Sequence, residues 1–327
     1  MSAFDLKGKI AIVTGAGSGI NHALTELLLE AGCSVVMADL RLKPAAQATL
    51  ERHQRSGNES GDRPSAVFQP TDMSDWAQIR ALWEAALRTY GRVNIVVNGA
   101  GIFEPRWSTF WNLPGGGTSS SSFSESGAPA EDDPDGALGQ YKTLAINTMG
   151  PIRLAQIAVA YWLEHHEVEG NLLWFASLAG YLHGMLTPLY FASKAAIVSM
   201  AKSLGGLRES CGIRNSCICP GTVHSPMIDE DQKHLNIPPD EIGLTPKECA
   251  EVALRLLQEP QYGDGNIVEC LKVEDGRGER VTRLREVPLE ALYPDVQGGE
   301  IGSILAEHEK RFKQRLGQTG MRGRFEE

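Results

Sequence analysis

Short apolar runs separated by amphipathic stretches set the rhythm of this chain. Residues 9–13, 33–38, 93–97, 172–175 and 267–271 are runs rich in apolar side chains, the pattern of strands buried on both faces. Residues 213–218, more polar, form a further strand ahead of Pro220-Gly221. Between the runs the spacing becomes helical. Ala23, Leu24, Leu27, Leu28 and Ala31 share one helical face before Gly32, and glycine is a common helix stop. Residues 75–90, with Ser74 as N-cap and Gly91 as stop, repeat the pattern, followed by helices at 141–164, 190–209 and 246–257. Alternation of strands and helices predicts an α/β fold: a parallel sheet of about seven strands with helices on both faces.

Two segments break the rhythm. Residues 105–140 begin with Trp107, Phe110 and Trp111 and continue into Pro114-Gly115-Gly116-Gly117, a serine run and the acidic stretch 131–135. Such composition resists packing, so a flexible insertion is expected over 114–136. The aromatic part follows the carboxyl end of a strand, where ligands bind in open α/β sheets. Trp107 and Phe110 are therefore expected to line or cover a substrate cleft. Residues 272–327 read as an extension beyond a core domain at 1–271. Within it, 300–316 has a thin apolar stripe (Ile301, Leu305, Phe312, Leu316) and the i,i+4 pairs Glu307/Arg311 and Glu309/Lys313, the marks of a helix. Its partner, the core or a second subunit, is left open. Residues 227–243 have the mixed composition of a lid.

The chemistry starts near the amino terminus. The first strand runs into Thr14-Gly15-Ala16-Gly17-Ser18-Gly19-Ile20, a helix follows, and the second strand ends at Asp39, twenty residues past Gly19. Glycines let the backbone approach a pyrophosphate, and the helix amino terminus offers unpaired N–H groups with a positive dipole end. An acid at this spacing accepts hydrogen bonds from the adenosine ribose. Gly15, Ser18, Gly19 and Ile20 are thus expected around a pyrophosphate and Asp39 on the ribose. A carboxylate there would repel a 2′-phosphate, which favours NAD over NADP; Arg41 reads as a solvated loop residue.

Tyr190 and Lys194 are four residues apart, and Ser177 lies thirteen residues before the tyrosine. Residues at that separation share a helix face. The ammonium is expected to lower the phenol's pKa, about 10 when free, so that it can move a proton while Ser177 holds the substrate oxygen. His183, in the loop between them, is a candidate for contact with substrate.

These motifs, in this order, resemble the short-chain dehydrogenase/reductase family over residues 6–270, and most of all its NAD-dependent 15-hydroxyprostaglandin dehydrogenase-like group, including fungal members. The family's glycine motif matches Thr14, Gly15 and Gly19. Its adenine-side acid matches Asp72, and its motif after the fourth strand matches Asn98, Ala100 and Gly101. Asn147, Ser177, Tyr190 and Lys194 match its catalytic positions, and Pro220, Gly221 and Val223 its segment after the sixth strand. The resemblance implies a doubly wound Rossmann fold, NAD as cofactor, and interconversion of a secondary alcohol and a ketone by hydride transfer. It also implies that Lys194 contacts the nicotinamide ribose, that Asn147 steadies a water beside the lysine, and that chains pair through 141–164 and 190–209 as homodimers or homotetramers. Two positions depart from the pattern. Asn21 stands where the family has its third glycine, and Gly99 where it has a second asparagine.

The net charge of −10 disfavours a nucleic-acid partner. No apolar run has the roughly 18 residues needed to span a bilayer, and MSAFDLKGKI lacks a signal-peptide pattern, so a cytoplasmic protein without a membrane partner is expected. The six cysteines are scattered, with no ligand-like spacing to histidine, and no metal is expected. The apolar and aromatic loops suggest an apolar or aromatic alcohol or ketone rather than a sugar. Two rival functions keep the fold: a non-redox isomerase or cyclase, and a protein that senses NAD by binding it. The complete set Asn147, Ser177, Tyr190 and Lys194 speaks against both.

Overall fold

The computed structural model describes residues 2–54, 63–112, 140–225, 243–288 and 300–320, without the side chains of 300–306 and 319. The expected insertion at 114–136 and, apart from Gly243, the expected lid lie outside the described residues.

Seven strands run parallel: β1 Ile10–Thr14, β2 Ser34–Asp39, β3 Ala66–Pro70, β4 Ile95–Asn98, β5 Asn171–Phe175, β6 Arg214–Pro220 and β7 Asp264–Glu274. An eighth, β8 Arg280–Glu286, pairs antiparallel with β7, giving the order β3-β2-β1-β4-β5-β6-β7-β8. All residues of β1, β4, β5 and β6 are buried. Apolar side chains on both sheet faces explain the unbroken apolar runs. One core lies against the helices α1 Gly19–Glu30 and α2 Pro44–His53. The other lies against α3 Trp76–Tyr90 and against the helices that carry Asn147 and Tyr190. Among the described residues no helix is long and apolar enough to cross a membrane.

β7 runs past residue 271, and β8 adds a strand that periodicity does not reveal. Arg280, Arg283, Arg285 and Glu286 make β8 look like a solvated loop, but it is a sheet edge, where charge discourages pairing with other chains. The turn between β7 and β8 is closed by Asp275, whose Oδ1 accepts from the N–H of Arg277 and of Glu279 at 2.8 and 2.9 Å. Gly278 there has φ 78°, which a side chain would disfavour.

Three helices differ from the expected pattern. The cap of α3 is Asp75, whose Oδ1 accepts from Ala77 and Gln78 N–H at 2.8 and 3.2 Å; Ser74 instead donates to Asp72 Oδ1. The stretch expected as one helix over 141–164 is α4 Lys142–Leu144, a π-helical turn Ala145–Met149 and α5 Gly150–Glu164. The stretch expected over 190–209 is α6 Pro188–Ser203 and α7 Leu207–Cys211. They separate at Gly205-Gly206, where a Cβ on Gly205 would come 2.8 Å from the Asp264 carbonyl oxygen. After α8 Pro246–Gln258, the tail forms α9 Glu300–Thr319. It docks on this chain's own core: Leu316 is buried in the cluster beneath α7, and Lys313 reaches Glu209 at 3.9 Å.

Helix α8 is fixed by a capping box between Thr245 and Glu248. Glu248 also pairs with Lys272 on β7. Burial pushes its carboxyl up, but the bonds from Lys272 and Thr245 outweigh burial and hold it at about 2. Because the folded-state value lies below the unfolded value of about 4.3, the stabilisation is present above pH 4.3 and lost as pH falls through 2. Glu248→Gln should therefore cost about 1 kcal/mol at pH 7, measured by urea unfolding, and wild type and variant should converge as pH falls from 4 toward 2.

Candidate active site

Between β1 and β4 the strand order reverses: the chain moves outward through β2 and β3, then returns to place β4 beside β1. Open sheets bind ligands at the carboxyl ends of such a pair. A cleft of about 500 Å³ lies there.

Gly15, Ser18, Gly19, Ile20, Asp39 and Asp72 line one end. Gly15 and Gly19 have φ 74° and 59°, values that favour glycine. Gly17 is required for a different reason: a Cβ there would sit 2.2 Å from the Arg41 carbonyl oxygen and 2.8 Å from the Asp39 carboxyl group. Its N–H donates to Asp39 Oδ2 at 2.9 Å, which ties the glycine turn to the acid ending β2. Ser18 caps α1 without lending its hydroxyl to the first turn. An amino-terminal dipole, a glycine cradle and a carboxylate at its far rim fit the pyrophosphate and ribose of a dinucleotide. Arg41, expected as a plain loop residue, lines the same rim together with Lys43.

Ala100, Gly101, Pro220, Gly221 and Val223 line the middle of the cleft. Gly101 leaves no room for a larger residue, since a Cβ would lie 3.3 Å from Asn147 Oδ1 and 3.5 Å from Lys194 Nζ. Asn98 does not line the cleft. As the last residue of β4 it points into the core, 3% exposed, with both amide atoms unpartnered among the described residues. The two departures from the family pattern touch each other. Asn21 Nδ2 donates to the Gly99 carbonyl at 2.9 Å, and a Cβ on Gly99 would overlap the Asn21 side chain at 2.2–2.5 Å. The amide of Asn21 thus fills the space that the glycine leaves open. Thr14 Oγ1 closes the junction, donating to the Val97 carbonyl and accepting from the N–H of Gly99 and Ala100.

Ser177, Tyr190 and Lys194 meet at the other end of the cleft, with Trp107 beside them. Lys194 is buried; its ammonium donates to the Phe175 carbonyl at 3.0 Å and lies 5.6 Å from the Tyr190 ring centroid. Burial pulls the Lys194 amine down to about 8, against the upward pull of Cys217 and Cys219. Burial pushes the Tyr190 phenol up to about 12, and a hydrogen bond with Ser177 draws it partly back. Desolvation is the largest influence on the phenol, and the group that lowers it is Ser177 rather than the Lys194 ammonium. Ser177 Oγ also accepts from Ala179 N–H at 3.2 Å, which fixes its rotamer.

Asn147 sits in the π-helical turn, a feature often found at functional sites. Its Oδ1 accepts from Ile102 N–H and its Nδ2 donates to the Ile102 carbonyl, both at 2.8 Å, with Ser193 Oγ at 3.1 Å. Buried at 2% exposure, it locks the end of the β4 loop to the helix carrying Tyr190. Phe110 and His183 do not line the cleft. Phe110 is 52% exposed and packs edge-on against Trp111. His183 is exposed on the 181–187 loop. Phe103 and Glu104 were missed: the Phe103 ring packs 4.6 Å from Tyr190, and Glu104 accepts from the Tyr190 N–H at 2.8 Å. Neither shows in sequence except as the residues after Gly101-Ile102. Cys217 and Cys219 are free and buried, their sulfurs 4.0 Å apart. Among the described residues no group of three or more His, Cys, Asp or Glu side chains could hold a metal ion.

The contact between Asn21 and Gly99 predicts non-additive effects. Gly99→Asn alone should cost about 3 kcal/mol by overpacking, and Asn21→Gly about 1 kcal/mol for glycine in a helix together with the lost bond. The double variant should recover about 1–3 kcal/mol of their sum, with NADH affinity, read by fluorescence titration, following the same order.

The family model for short chain dehydrogenases matches residues 9–236. Human 15-hydroxyprostaglandin dehydrogenase [NAD(+)] is 27% identical over 236 residues, 71% of this chain and 74% of that protein. Bovine (Bos taurus) L-fucose dehydrogenase is 26% identical over 223 residues, 68% of this chain and 69% of that protein. Among solved structures, levodione reductase superposes with TM-score 0.61 at 21% identity, covering 80% of this chain and 96% of that one. The 3-ketoacyl-(acyl-carrier-protein) reductase from Brucella melitensis complexed with NADH gives 0.60 at 24%, covering 84% of this chain and 100% of that one; at these identities both show the fold alone. Since the family match runs from β1 past β6 and takes in every glycine, acid and phenol of the cleft, the chain belongs to the short-chain dehydrogenase/reductase family, oxidoreductases acting on CH–OH groups.

Proposed function

We propose that the protein is an NAD-dependent dehydrogenase interconverting an apolar secondary alcohol and its ketone, with Tyr190 as general acid and base. The observation that carries this is the convergence of Ser177, Tyr190 and Lys194 at one end of a cleft whose other end holds the glycine turn and Asp39. A bound nicotinamide supplies the hydride acceptor or donor. Gly15, Ser18, Gly19 and Ile20 hold the pyrophosphate, Asp39 the ribose and Asp72 the adenine side. Lys194 holds the ribose nearest the reacting end. Ser177 positions the substrate oxygen beside the Tyr190 hydroxyl. Tyr190 takes the alcohol proton in oxidation and returns it in reduction. Asn147 holds the Ile102 backbone and steadies the water through which Lys194 exchanges its proton.

The substrate class is supported by the surface around the mouth. Trp107 lines the cleft, and Leu182, Met185 and Leu186 are exposed nearby, joined to the aromatic loop by the Trp111 Nε1 bond to the Met185 carbonyl at 3.0 Å. A sugar would find few hydroxyl partners there. The human relative is named for NAD(+) and for a hydroxyl on a prostaglandin, in line with this reading. A homodimer or homotetramer built on α5 and α6, and residence in the cytoplasm, belong to the same proposal.

Absorbance at 340 nm across a panel of apolar secondary alcohols with NAD⁺ tests the reaction. Tyr190→Phe should keep NADH affinity within about twofold and lose at least about 10³-fold in kcat; normal turnover by this variant refutes the assignment. Conversion of substrate without net change in cofactor would favour an isomerase, and NADH binding without any turnover a sensor.

Cofactor choice has its own check. Asp39→Asn removes the charge that repels a 2′-phosphate while Arg41 and Lys43 stay on the rim. The ratio of kcat/KM for NADP⁺ over NAD⁺ should rise by about 10-fold or more. An unchanged ratio would place the discrimination elsewhere.

A further inference from the structure

Glu104 is buried, 5% exposed, in a chain whose other buried carboxylate among the described residues, Glu269, is paired with Arg285. Among the described residues no cation is paired with Glu104 and its carboxylate accepts three hydrogen bonds, whose donors come from two parts of the molecule. Oε2 takes the N–H of Tyr190, at 2.8 Å, in the first turn of α6. Oε1 takes the Thr109 hydroxyl at 2.8 Å and the Phe110 N–H at 3.0 Å, both in the aromatic loop at 105–112. Glu104 also has φ 42°, the one positive value on a non-glycine described residue. That backbone state is disfavoured for side chains larger than glycine and persists only where surroundings enforce it. Here it points the carboxylate inward, between loop and helix.

We propose that Glu104 is a positioning residue that couples the aromatic loop to Tyr190. This rests on Tyr190 being the acid and base. The carboxylate holds the tyrosine's own backbone N–H, so it sets how far the phenol projects into the cleft. It holds the loop through the same functional group, and that loop carries Trp107 against the space where a substrate must lie. A substrate that orders the loop therefore steadies Tyr190 through one side chain. Neighbouring contacts point the same way. The Phe103 ring, next in sequence, packs on the Tyr190 ring, and the loop meets the approach to α6 again at Trp111 and Met185. The cofactor end, at Gly15 and Asp39, takes no part in these bonds.

Three variants of the full chain test this. Glu104→Gln keeps size but offers one acceptor oxygen to three donors and faces an N–H with an N–H. Glu104→Gly keeps the positive φ without strain and removes the carboxylate together with the two methylenes that carry it. Thr109→Val removes one loop bond and leaves the bond to Tyr190. Amide exchange followed by mass spectrometry needs no substrate. With either Glu104 variant, segments 104–112 and 185–192 should both exchange at least about tenfold faster, while Thr109→Val should affect 104–112 alone. In the NAD⁺ assay with the alcohol that wild type oxidises fastest, the Glu104 variants should lose on the order of 10- to 100-fold in kcat, with KM for NAD⁺ and NADH affinity within about twofold.

Exchange at 185–192 equal to wild type overturns the coupling. So does unchanged kcat in the Glu104 variants alongside an inactive Tyr190→Phe. Normal turnover by Tyr190→Phe is a separate result: it removes the phenol from the chemistry, and the inference falls with that reading.

Discussion

The reversal of strand order between β1 and β4 is the constraint on which the site depends. Two neighbouring parallel strands whose chains leave in opposite directions cannot both be covered by the same crossover helix, so a crevice opens at their carboxyl ends. Tyr190 and Lys194 reach that crevice from helix α6; the other groups reach it from strand ends. The glycine turn follows β1, Asp39 ends β2, Asp72 follows β3 and Gly101 follows β4. Ser177 follows β5, and Pro220-Gly221 closes β6. Thr14 stitches the two central strand ends together with one hydroxyl, so the glycine turn and the 99–101 loop are held at a fixed separation.

Close approach governs the cofactor end of the cleft. The turn fits because Gly17 leaves room for the Arg41 carbonyl and Asp39, and because Gly99 leaves room for Asn21. In the second case an asparagine stands on the opposite wall of the crevice from the family pattern and a glycine faces it. Each change taken alone is a defect, a clash or a hole; together the Asn21 amide occupies the space at Gly99 and its Nδ2 is bonded, while its Oδ1 has no partner among the described residues.

Desolvation governs the chemical end. Lys194 and Tyr190 sit where burial disfavours the charge that each must carry. The amine drops to about 8 while the phenol rises to about 12. A hydrogen bond with Ser177 draws the phenol partly back. Rigid neighbours keep these groups from relaxing away from each other. Asn147 is pinned by both backbone groups of Ile102, Lys194 by the Phe175 carbonyl, and the Tyr190 backbone by Glu104. On the outer side, Tyr181 donates to Glu269, which Arg285 of β8 also holds. The last strand therefore supports the turn that carries Ser177.

Sequence alone determined the class of fold, the glycine turn with its acid, and the grouping of Ser177, Tyr190 and Lys194. Each of these is a local fact: a period of apolar residues, a fixed number of positions between glycine and acid, one helical turn between phenol and amine. Tertiary structure decided what depends on distance through space. Asn21 and Gly99 are 78 positions apart, and Glu104 and Tyr190 are 86 apart, so neither pair leaves a periodic trace. The π-helical turn at Asn147 interrupts a helix whose apolar spacing looks continuous, and the break at Gly205-Gly206 falls where the low helix propensity of glycine coincides with the close approach of the Asp264 carbonyl. β8 was hidden because an edge strand carries charge, and the exposure of the Phe110 ring is set by the fold of its loop, which its apolar character does not reveal. The phenol's pKa followed the same division: spacing brought a cation near it, and only burial, a property of the folded whole, determined which influence prevailed.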